Sequence, residues 1–350
     1  MPVERLLREQ TLGETRWAAL DGAGLPVALF LERAHEMARR PSFGDRLNGR
    51  VRRLDTAMGG AFVDLGAKGD GFLRLKSGET FPEGAAIDVD VVAEGRRNKV
   101  ARLRLAGQEK AAMSAAEHWR ASLSGGVTAR VEDRPAGDGE VRSAFEDALA
   151  AAAPLRGGGR LRIEPTEALT AADIDTAGRA AYGGRAPAAL AINIEAAGML
   201  ARQIHLRGLG GLVVLDCVAP IDKAAGAQVR AAFLDRFRDV SGRQVKALVP
   251  SVFGLMEISA DWQLTPLRDR LLGADGAPTP ETTALNGLRD LEASARANRM
   301  GRLRLTLPAP AFAWLSASGL NAEAELARTY GGRLAIAAGA SAKHEVRPDP

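Results

Sequence analysis

The chain has 350 residues, 46% of them hydrophobic and 26% charged, a composition typical of a folded soluble protein with two or three domains. Its 47 Lys and Arg against 43 Asp and Glu leave a formal charge of only +4, which excludes a histone-like polycation, so any anion site must be local. One cysteine and four scattered histidines exclude an internal disulfide framework and a Cys/His zinc cluster.

The sequence has no apolar run typical of a membrane span or of a signal peptide. No run approaches the roughly 18 to 20 residues that span a bilayer, and residues 1–10 have no uninterrupted apolar stretch of the kind found in signal peptides. We therefore expect a cytoplasmic protein that has no membrane partner.

The N-terminal residues predict β-structure. Apolar runs at 14–20 and 25–32 flank Asp21-Gly22-Ala23-Gly24, which is hairpin turn chemistry, and a basic helical stretch follows at 35–40. We expect residues 1–44 to form a β-hairpin segment that packs on the later α/β part of the chain.

Residues 45–107 carry closely spaced strand signals that are divided by Gly-rich turns at 59–60 and 68–71. The apolar residues within 87–91 alternate with aspartates, which is the period of a half-buried strand. About five short strands in this length favour a small OB-type barrel. The connecting segment 108–139 then predicts a helix, a short strand at 127–131 and a Pro- and Gly-rich break.

Residues 140–272 alternate helix and strand signals, as in a layer architecture with helices covering a sheet. The predicted elements are a helix at 140–152, strands at 160–164 and 167–175, a helix capped by Asn193 and ended by Gly208, a buried strand at 212–215, a second helix through Phe233, and a strand at 245–249. Arg202 and Arg207 lie off the apolar stripe of the first long helix. After a linker at 273–280, residues 281–350 predict a small α/β domain, so the fold class is α/β in a multidomain α+β arrangement.

Three aspartates are candidates for metal ligands. Asp173 and Asp175 are two apart on one predicted strand, so their carboxylates share a face, and Asp216 ends another strand. Carboxylates gathered at strand ends repel one another unless a cation neutralises them, and Mg²⁺ or Mn²⁺ is the usual partner. Asp at a strand end is also a common cap or turn former, and the pattern leaves that alternative open.

The predicted barrel carries aromatic residues beside cations. Phe62 and Phe72 lie on strands that also hold basic residues, and further cations follow downstream at Arg96, Arg97 and Lys99. Such rings stack on bases while cations contact phosphates. The same phenylalanines could instead fill the barrel core, with the cations only solvating the surface.

Cys217 follows Asp216 directly and is either a nucleophile or an inert buried thiol; its apolar strand favours the second interpretation. The glycines at 157–159 lack the Lys-Ser/Thr of a phosphate-binding loop, and neither a Gly-x-Ser-x-Gly nor a His-Glu-x-x-His motif is present.

Most of the chain resembles a shortened member of the ribonuclease E/G family. Residues 167–175 read E-A-L-T-A-A-D-I-D, similar to the family's E-A-L-T-x-I-D-[IV]-N. Further similar segments follow in the family's order and nearly its spacing, at 183–184, 193–197, 201–207, 210–216 and 253–258. Residues 60–66 and 71–73 are similar to the family's S1 motif, an OB-type RNA-binding domain.

The resemblance implies roles for individual residues. It places the two catalytic Mg²⁺ ligands at Asp173 and Asp216, with Asp175 at the position of an assisting Asn. Phe62, Phe72 and Lys99 fall on RNA-contacting positions of the S1 domain.

The chain also departs from the family pattern. The 5′-sensor segment and the Cys-x-x-Cys zinc link are missing, so there is no zinc site and an oligomer, if formed, is not zinc-linked. Asp175 replaces Asn, Val252 replaces an Arg, and Ala260-Asp261-Trp262 replaces a basic stretch.

The implied function is Mg²⁺-dependent endoribonuclease cleavage of single-stranded RNA in ribosomal RNA maturation or messenger decay. The departures favour an alternative, a catalytically weakened RNA-binding protein of the same fold. Paired carboxylates by themselves would also suit a metal-dependent nuclease acting on DNA.

Overall fold

The computed structural model describes residues 2–76, 78–96, 99–107, 113–177, 179 and 184–349. The strands are β1 Val3–Thr11, β2 Glu14–Asp21, β3 Pro26–Arg33, β4 Arg46–Asp55, β5 Gly60–Asp64, β6 Asp70–Arg74, β7 Ala86–Ala93, β8 Ala101–Leu105, β9 Arg130–Arg134, β10 Ala152–Pro154, β11 Arg160–Pro165, β12 Thr170–Asp175, β13 Gly211–Asp216, β14 Val245–Ala247, β15 Leu255–Ala260, β16 Leu303–Pro308, β17 Leu334–Gly339 and β18 Glu345–Pro348. The helices are α1 Ala115–Ser122, α2 Gly139–Leu149, α3 Arg185–Leu206, α4 Lys223–Val240, α5 Leu267–Leu271, α6 Pro280–Ala297, α7 Ala309–Ala317 and α8 Ala322–Tyr330.

The N-terminal segment is a three-stranded meander. It contains the predicted hairpin, formed by β2 and β3, together with β1, which the sequence pattern did not predict. The sheet order is β3-β2-β1-β9, with β9 of the connecting segment parallel to β1. β1 lacks clean alternation because its polar side chains have partners: Arg5 donates two hydrogen bonds to Glu132 of β9, at 2.9 and 3.0 Å. Residues 35–40 form hydrogen-bonded turns rather than the predicted helix.

The barrel has the strand order β4-β5-β6-β8-β7 and closes through the pairing of β4 with β7, which confirms the predicted OB-type fold. Its interior is filled by small and branched residues such as Val63, Leu73 and Val89. Glu94, only 4% exposed, joins the barrel to the segment before α5: its backbone N–H donates to Gln263 at 2.8 Å, and its carboxylate accepts from the Thr265 N–H at 3.0 Å.

The central sheet has the order β10-β11-β12-β13-β15-β14, and only β12 and β13 pair in parallel. Helices α3 and α4 pack on one face through a core that includes Leu200, Ile204 and Phe233, while the other face is open. The predicted cap Asn193 was wrong, since α3 begins at Arg185 and Asn193 is fully buried within it. Pro187 fits in the first turn of α3, where its missing N–H has no helical partner.

Arg202 and Arg207, which lie off the apolar stripe of α3, are nevertheless buried. Arg202 donates to the backbone oxygen of Pro26 at 2.6 Å, and Arg207 donates to Gln203 at 2.7 Å. The N-terminal sheet covers this side of α3 through β3, so a face that a lone helix would expose to water is an interface here.

The C-terminal unit consists of α6, α7 and α8 packed on a sheet of order β17-β16-β18, around a core that includes Leu288 and Leu305. In the part of the chain that the structure describes, every helix is too short or too polar to cross a membrane.

A buried charge cluster ties the N-terminal sheet to α6. Glu14, on β2, is 2% exposed and accepts hydrogen bonds from Arg16 and Arg33, each at 2.8 Å, and from Arg289 of α6. Burial alone would raise the pKa of Glu14, but the three guanidinium charges outweigh burial and hold that pKa well below its ordinary range.

We predict that Glu14→Gln lowers the free energy of unfolding by about 3–5 kcal/mol at pH 7, because it leaves buried guanidinium groups without their counter-charge. The contribution of Glu14 is complete above its unfolded pKa, near 4.5, and declines as the pH falls below that value. Urea unfolding measured between pH 7 and pH 3 tests both statements. Asp133→Asn, which removes the exposed partner of Arg8, is the control and should change little. Equal losses in the two variants would contradict the assignment.

Candidate functional site

The two aspartates predicted as metal ligands face each other across adjacent strands. Asp173 on β12 and Asp216 on β13 are register partners in the parallel pair, where neighbouring strands lie about 4.8 Å apart. Both side chains are exposed, whereas the adjacent Ala172 and Leu215 are buried against α3 and α4. The sheet therefore presents both carboxylates on its open face.

Neither of these carboxylates has a hydrogen bond or a salt bridge to another described residue. Arg162 of β11 is the register partner of Asp173 on its other side, but it forms no salt bridge with it. Two adjacent carboxylates without a protein cation repel each other, and they offer the oxygen ligands that a hard divalent cation prefers. The donor set thus fits Mg²⁺ or Mn²⁺.

Asp175 lies on the same face of β12 but has a local structural role as well. Its Oδ1 accepts a hydrogen bond from the Ala177 N–H at 2.9 Å and so shapes the turn that follows the strand. The ligand atoms of Asp173, Asp175 and Asp216 do not all lie within 4.8 Å of one another, since His35, Glu36 and Glu281 form the only such group of three among the described residues. The two residues of the predicted pair are register partners, whereas the role of Asp175 in this turn was not predicted from the sequence.

The group at His35 is a poor metal site for an electrostatic reason. Glu281 accepts from Arg33 at 2.6 Å, and Glu36 pairs with Arg270. These guanidinium groups already neutralise both carboxylates, so a divalent cation would have to displace them.

Asn193 is a site-supporting residue that sequence reasoning misassigned. Its side chain donates to the Val218 carbonyl at 2.9 Å and accepts from the Val218 N–H at 2.8 Å, two residues beyond Asp216. This double hydrogen bond fixes the chain that leaves β13. The signal in the sequence was a polar residue placed within the apolar helix α3.

Cys217 is 6% exposed, and burial together with the neighbouring Asp216 carboxylate raises its pKa to about 12. A thiol with that pKa stays protonated at neutral pH and is a weak nucleophile. The structure therefore supports the interpretation of Cys217 as an inert packing residue.

A tight turn presents two apolar side chains beside Asp216. Val252 is 96% exposed and Phe253 is 84% exposed, at the tip of a loop that is closed by a hydrogen bond from the Ser251 N–H to Leu255. The Cys217 N–H donates to the Gly254 carbonyl at 3.0 Å, which holds this loop next to Asp216. Phe253 was not predicted to lie at the site, although it belongs to the 253–258 segment that resembles the family.

The barrel phenylalanines are on the outer surface, so the alternative that they fill the barrel core was wrong. Phe62 and Phe72 are cross-strand partners whose rings meet edge to face at 5.2 Å, and the Arg53 guanidinium lies 4.4 Å from the Phe62 ring. Their neighbours Ala61 and Leu73 point inward. A half-exposed aromatic pair with a cation suits contact with nucleic acid bases.

Lys99 is exposed and lies apart from this pair, in the β7–β8 connection. It lines a cleft between the barrel and the central sheet, together with Arg96 and Trp262. The Arg96 guanidinium lies 4.1 Å from the Trp262 ring. Arg97 and Gly183 fall outside the described residues.

These features define an OB-type barrel joined to an α/β domain that carries paired carboxylates. Residues 89–262 match the model of the Ribonuclease E/G family. The chain is 32% identical over 185 residues to Ribonuclease E of Haemophilus influenzae, a match that covers 50% of this chain and 20% of that protein. It is 32% identical over 188 residues to Ribonuclease E of Escherichia coli, with 50% and 17% coverage.

A Ribonuclease E/G-like chloroplastic protein of Arabidopsis thaliana is 35% identical over 127 residues, covering 34% of this chain and 12% of that protein. A solved multidomain protein with nucleic acid binding domains from Streptococcus pneumoniae matches 29% of this chain and 38% of that chain, at 19% identity and a TM-score of 0.16, and this likeness does not extend to the whole fold. Through residues 89–262, this chain belongs to the ribonuclease E/G family. It spans about a fifth or less of the length of the three curated relatives named here.

We predict that Asp173→Asn weakens Mn²⁺ binding at least tenfold, because it removes one of two facing carboxylates without changing the volume of the side chain. Titration calorimetry of the purified chain with Mn²⁺ measures the change. Asp235→Asn, on the exposed side of α4, is the control and should bind as the parent does. Unchanged Mn²⁺ affinity in the Asp173 variant would contradict the assignment of Asp173 as a metal ligand.

Proposed function

We propose that this protein is a Mg²⁺-dependent endoribonuclease that cleaves single-stranded RNA. The observation that carries the proposal is the register of Asp173 with Asp216: two exposed carboxylates that form no salt bridge with any described residue, in a domain of the ribonuclease E/G family. The names Ribonuclease E and Ribonuclease G of the matched relatives support the reaction class.

Asp173 and Asp216 would hold the cation, and Asn193 would keep Asp216 in place through its clamp on Val218. When bound, Mg²⁺ supplies activation of water and stabilisation of the charge that develops on the phosphate oxygens. The exposed Phe253 beside Asp216 offers an apolar surface to the base next to the scissile phosphate.

The barrel would bind a part of the RNA strand that lies away from the phosphate being cleaved. Phe62 and Phe72 provide stacking surfaces, while Arg53 and the exposed Lys99 contact phosphates. Stacking selects unpaired bases, because a base within a duplex has both of its faces covered. This preference underlies the proposal that the substrate is single-stranded.

The resemblance to the ribonuclease E/G family extends the proposal to the cellular process in which the cleavage takes place. We place it in ribosomal RNA maturation or messenger decay in the cytoplasm, with products that carry 5′-phosphate and 3′-hydroxyl ends. An oligomer, if formed, would not depend on zinc, because the chain has a single cysteine.

A catalytically weakened RNA-binding protein is the second candidate, and one observation favours it. Asp261 lies 3.9 Å from Arg102, the register partner of Phe72, so a carboxylate from the central sheet offsets a barrel cation beside the aromatic pair. Asp175 adds a third negative charge on the face that carries Asp173. The first feature would weaken RNA binding at the barrel, and the second would weaken it near the metal.

The deciding experiment is incubation of the purified chain with end-labelled single-stranded RNA, with and without Mg²⁺. We expect cleavage with Mg²⁺ only, loss of cleavage in Asp216→Asn, and parental cleavage in Asp235→Asn. RNA binding without cleavage by the parent would establish the second candidate. A single-stranded DNA of the same sequence, cleaved as fast as the RNA, would instead support a DNA-acting nuclease.

We predict that Phe62→Ala weakens single-stranded RNA binding by about 1 to 3 kcal/mol, the contribution of one stacked base. The interior of the barrel should be undisturbed because the ring lies outside it. Fluorescence anisotropy of labelled RNA measures the affinity, and thermal denaturation checks the fold. Phe312→Ala, in the C-terminal unit, is the matched control for losing a ring. Equal RNA affinity in a folded Phe62 variant would contradict the stacking role.

We predict that Asp175→Asn binds Mg²⁺ more weakly yet cleaves up to roughly tenfold faster when Mg²⁺ is saturating, a change worth about 1.4 kcal/mol. The substitution removes a negative charge that repels the phosphate. It keeps the oxygen that accepts from Ala177, so the turn should survive. Single-turnover rates across a Mg²⁺ titration test this. An unchanged or lower plateau would show that the site is adapted to the third carboxylate.

A further inference from the structure

A cleft of about 680 Å³ lies between the barrel and the central sheet, at the end opposite the paired aspartates. Its floor includes Thr170 and Gly211, where β12 and β13 begin, whereas Asp173 and Asp216 lie three and five residues further along. At about 3.3 Å per residue the separation is roughly 10–17 Å. The cleft is therefore distinct from the metal site, and its volume suits a small ligand.

Arg207 lines this cleft and is an unusual cation. It is 7% exposed, its Nε donates to Gln203 at 2.7 Å, and its Nη2 is buried without a hydrogen-bond partner. Within the described residues it has no salt bridge. Burial lowers its pKa to about 10, so it remains charged at neutral pH. The Asp147 carboxylate interacts favourably with it but forms no salt bridge. A buried guanidinium without a paired counter-ion is costly, and an anion in the cleft would offset that cost.

Further cations surround the same space. Arg96, stacked on Trp262, and the exposed Lys99 line the cleft from the barrel side, and Arg268 lines it from α5. Three carboxylates also line the cleft: Glu164 and Glu167, around the β11–β12 connection, and Asp269, which lies beside Arg268 on α5. Arg96, Lys99 and Arg207 are therefore on different elements from all three carboxylates.

Apolar side chains also line the cleft. Leu149, Leu169, Leu209 and Leu212 contribute to it, and Leu212 is 43% exposed. A ligand that satisfies this lining has an anionic group, a flat apolar part and hydroxyl groups that can donate to carboxylates.

We propose that this cleft binds a phosphorylated nucleotide. The phosphate lies toward Arg207, Arg96 and Lys99, the base packs on the leucines, and the ribose hydroxyls donate to Glu164 and Glu167. The nucleotide is either a free mononucleotide or one residue of a bound RNA strand. Binding of this kind does not rest on the proposed cleavage reaction.

Calorimetric titration of the full chain with AMP, inorganic phosphate and adenosine, without divalent cations, tests the proposal. We expect AMP to bind most tightly, because only AMP engages both the cations and the apolar wall. Arg207→Met should weaken AMP binding at least tenfold, and Arg268→Ala, an exposed position that spares the fold, several-fold. Arg238→Ala, on the outer side of α4, should bind as the parent does. Thermal denaturation checks that each variant is folded.

No AMP binding at roughly 10 mM ligand, which corresponds to less than about 2.7 kcal/mol of binding free energy, would overturn the proposal. Parental AMP affinity in both folded arginine variants would overturn it as well. Repeating the titration on Asp216→Asn saturated with a single-stranded oligoribonucleotide distinguishes the two sources of the ligand. Competition assigns the cleft to the RNA strand, and AMP binding without competition assigns it to a free nucleotide. AMP binding by a chain that cleaves no RNA would leave this inference standing while the proposed function failed.

Discussion

The parallel pairing of β12 with β13 is the constraint on which the candidate site depends. It sets Asp173 opposite Asp216, and a shift of one residue would turn one of these side chains into the core. The buried residues on either side prevent that shift, because Ala172, Ile174 and Leu215 pack against α3 and α4. Stability and site geometry therefore have the same origin. The buried residues on the other face of the sheet keep the two carboxylates adjacent even though they repel each other.

The elements around this pair hold it from three sides. Asn193 reaches from α3 to Val218, β15 pairs with the other edge of β13, and the turn that carries Phe253 is hydrogen-bonded to Cys217. Each contact is made to the backbone next to Asp216 and leaves its carboxylate unpaired. The chain is rigid where the cation would bind, while the ligand oxygens remain available to it.

The position of the barrel relative to the sheet depends on a few buried polar contacts. Glu94 bonds to the segment before α5 on both its backbone and its side chain, and Arg96 stacks on Trp262. At this junction the cation comes from the barrel and the aromatic ring comes from the segment that follows β15. The result is a cleft whose positive charges are contributed by two different units of the fold.

Local sequence patterns predicted many of the secondary-structure elements of this protein. The alternation of 170–175, the apolar run before Asp216 and the glycine turns of the barrel each predicted an element that the structure contains, because burial on one face leaves its period in the sequence. The pairing of Asp173 with Asp216 was also predictable, although its spacing became meaningful only through the family motif.

Other features were decided by tertiary contacts between segments far apart in the chain. Asn193 was predicted to cap a helix, and Arg207 lies off the apolar stripe of that helix. Contacts with distant segments bury both side chains and supply or withhold their hydrogen-bond partners. β1 was not predicted because its polar residues break the alternation of an amphipathic strand. Arg5 bonds to Glu132 of β9, and Glu9 bonds to the loop after β9 and to Arg289 of α6. The cleft has no sequence signature at all, since residues separated by more than a hundred positions line it. A polar residue's role depends on what faces it, and only the folded chain determines that.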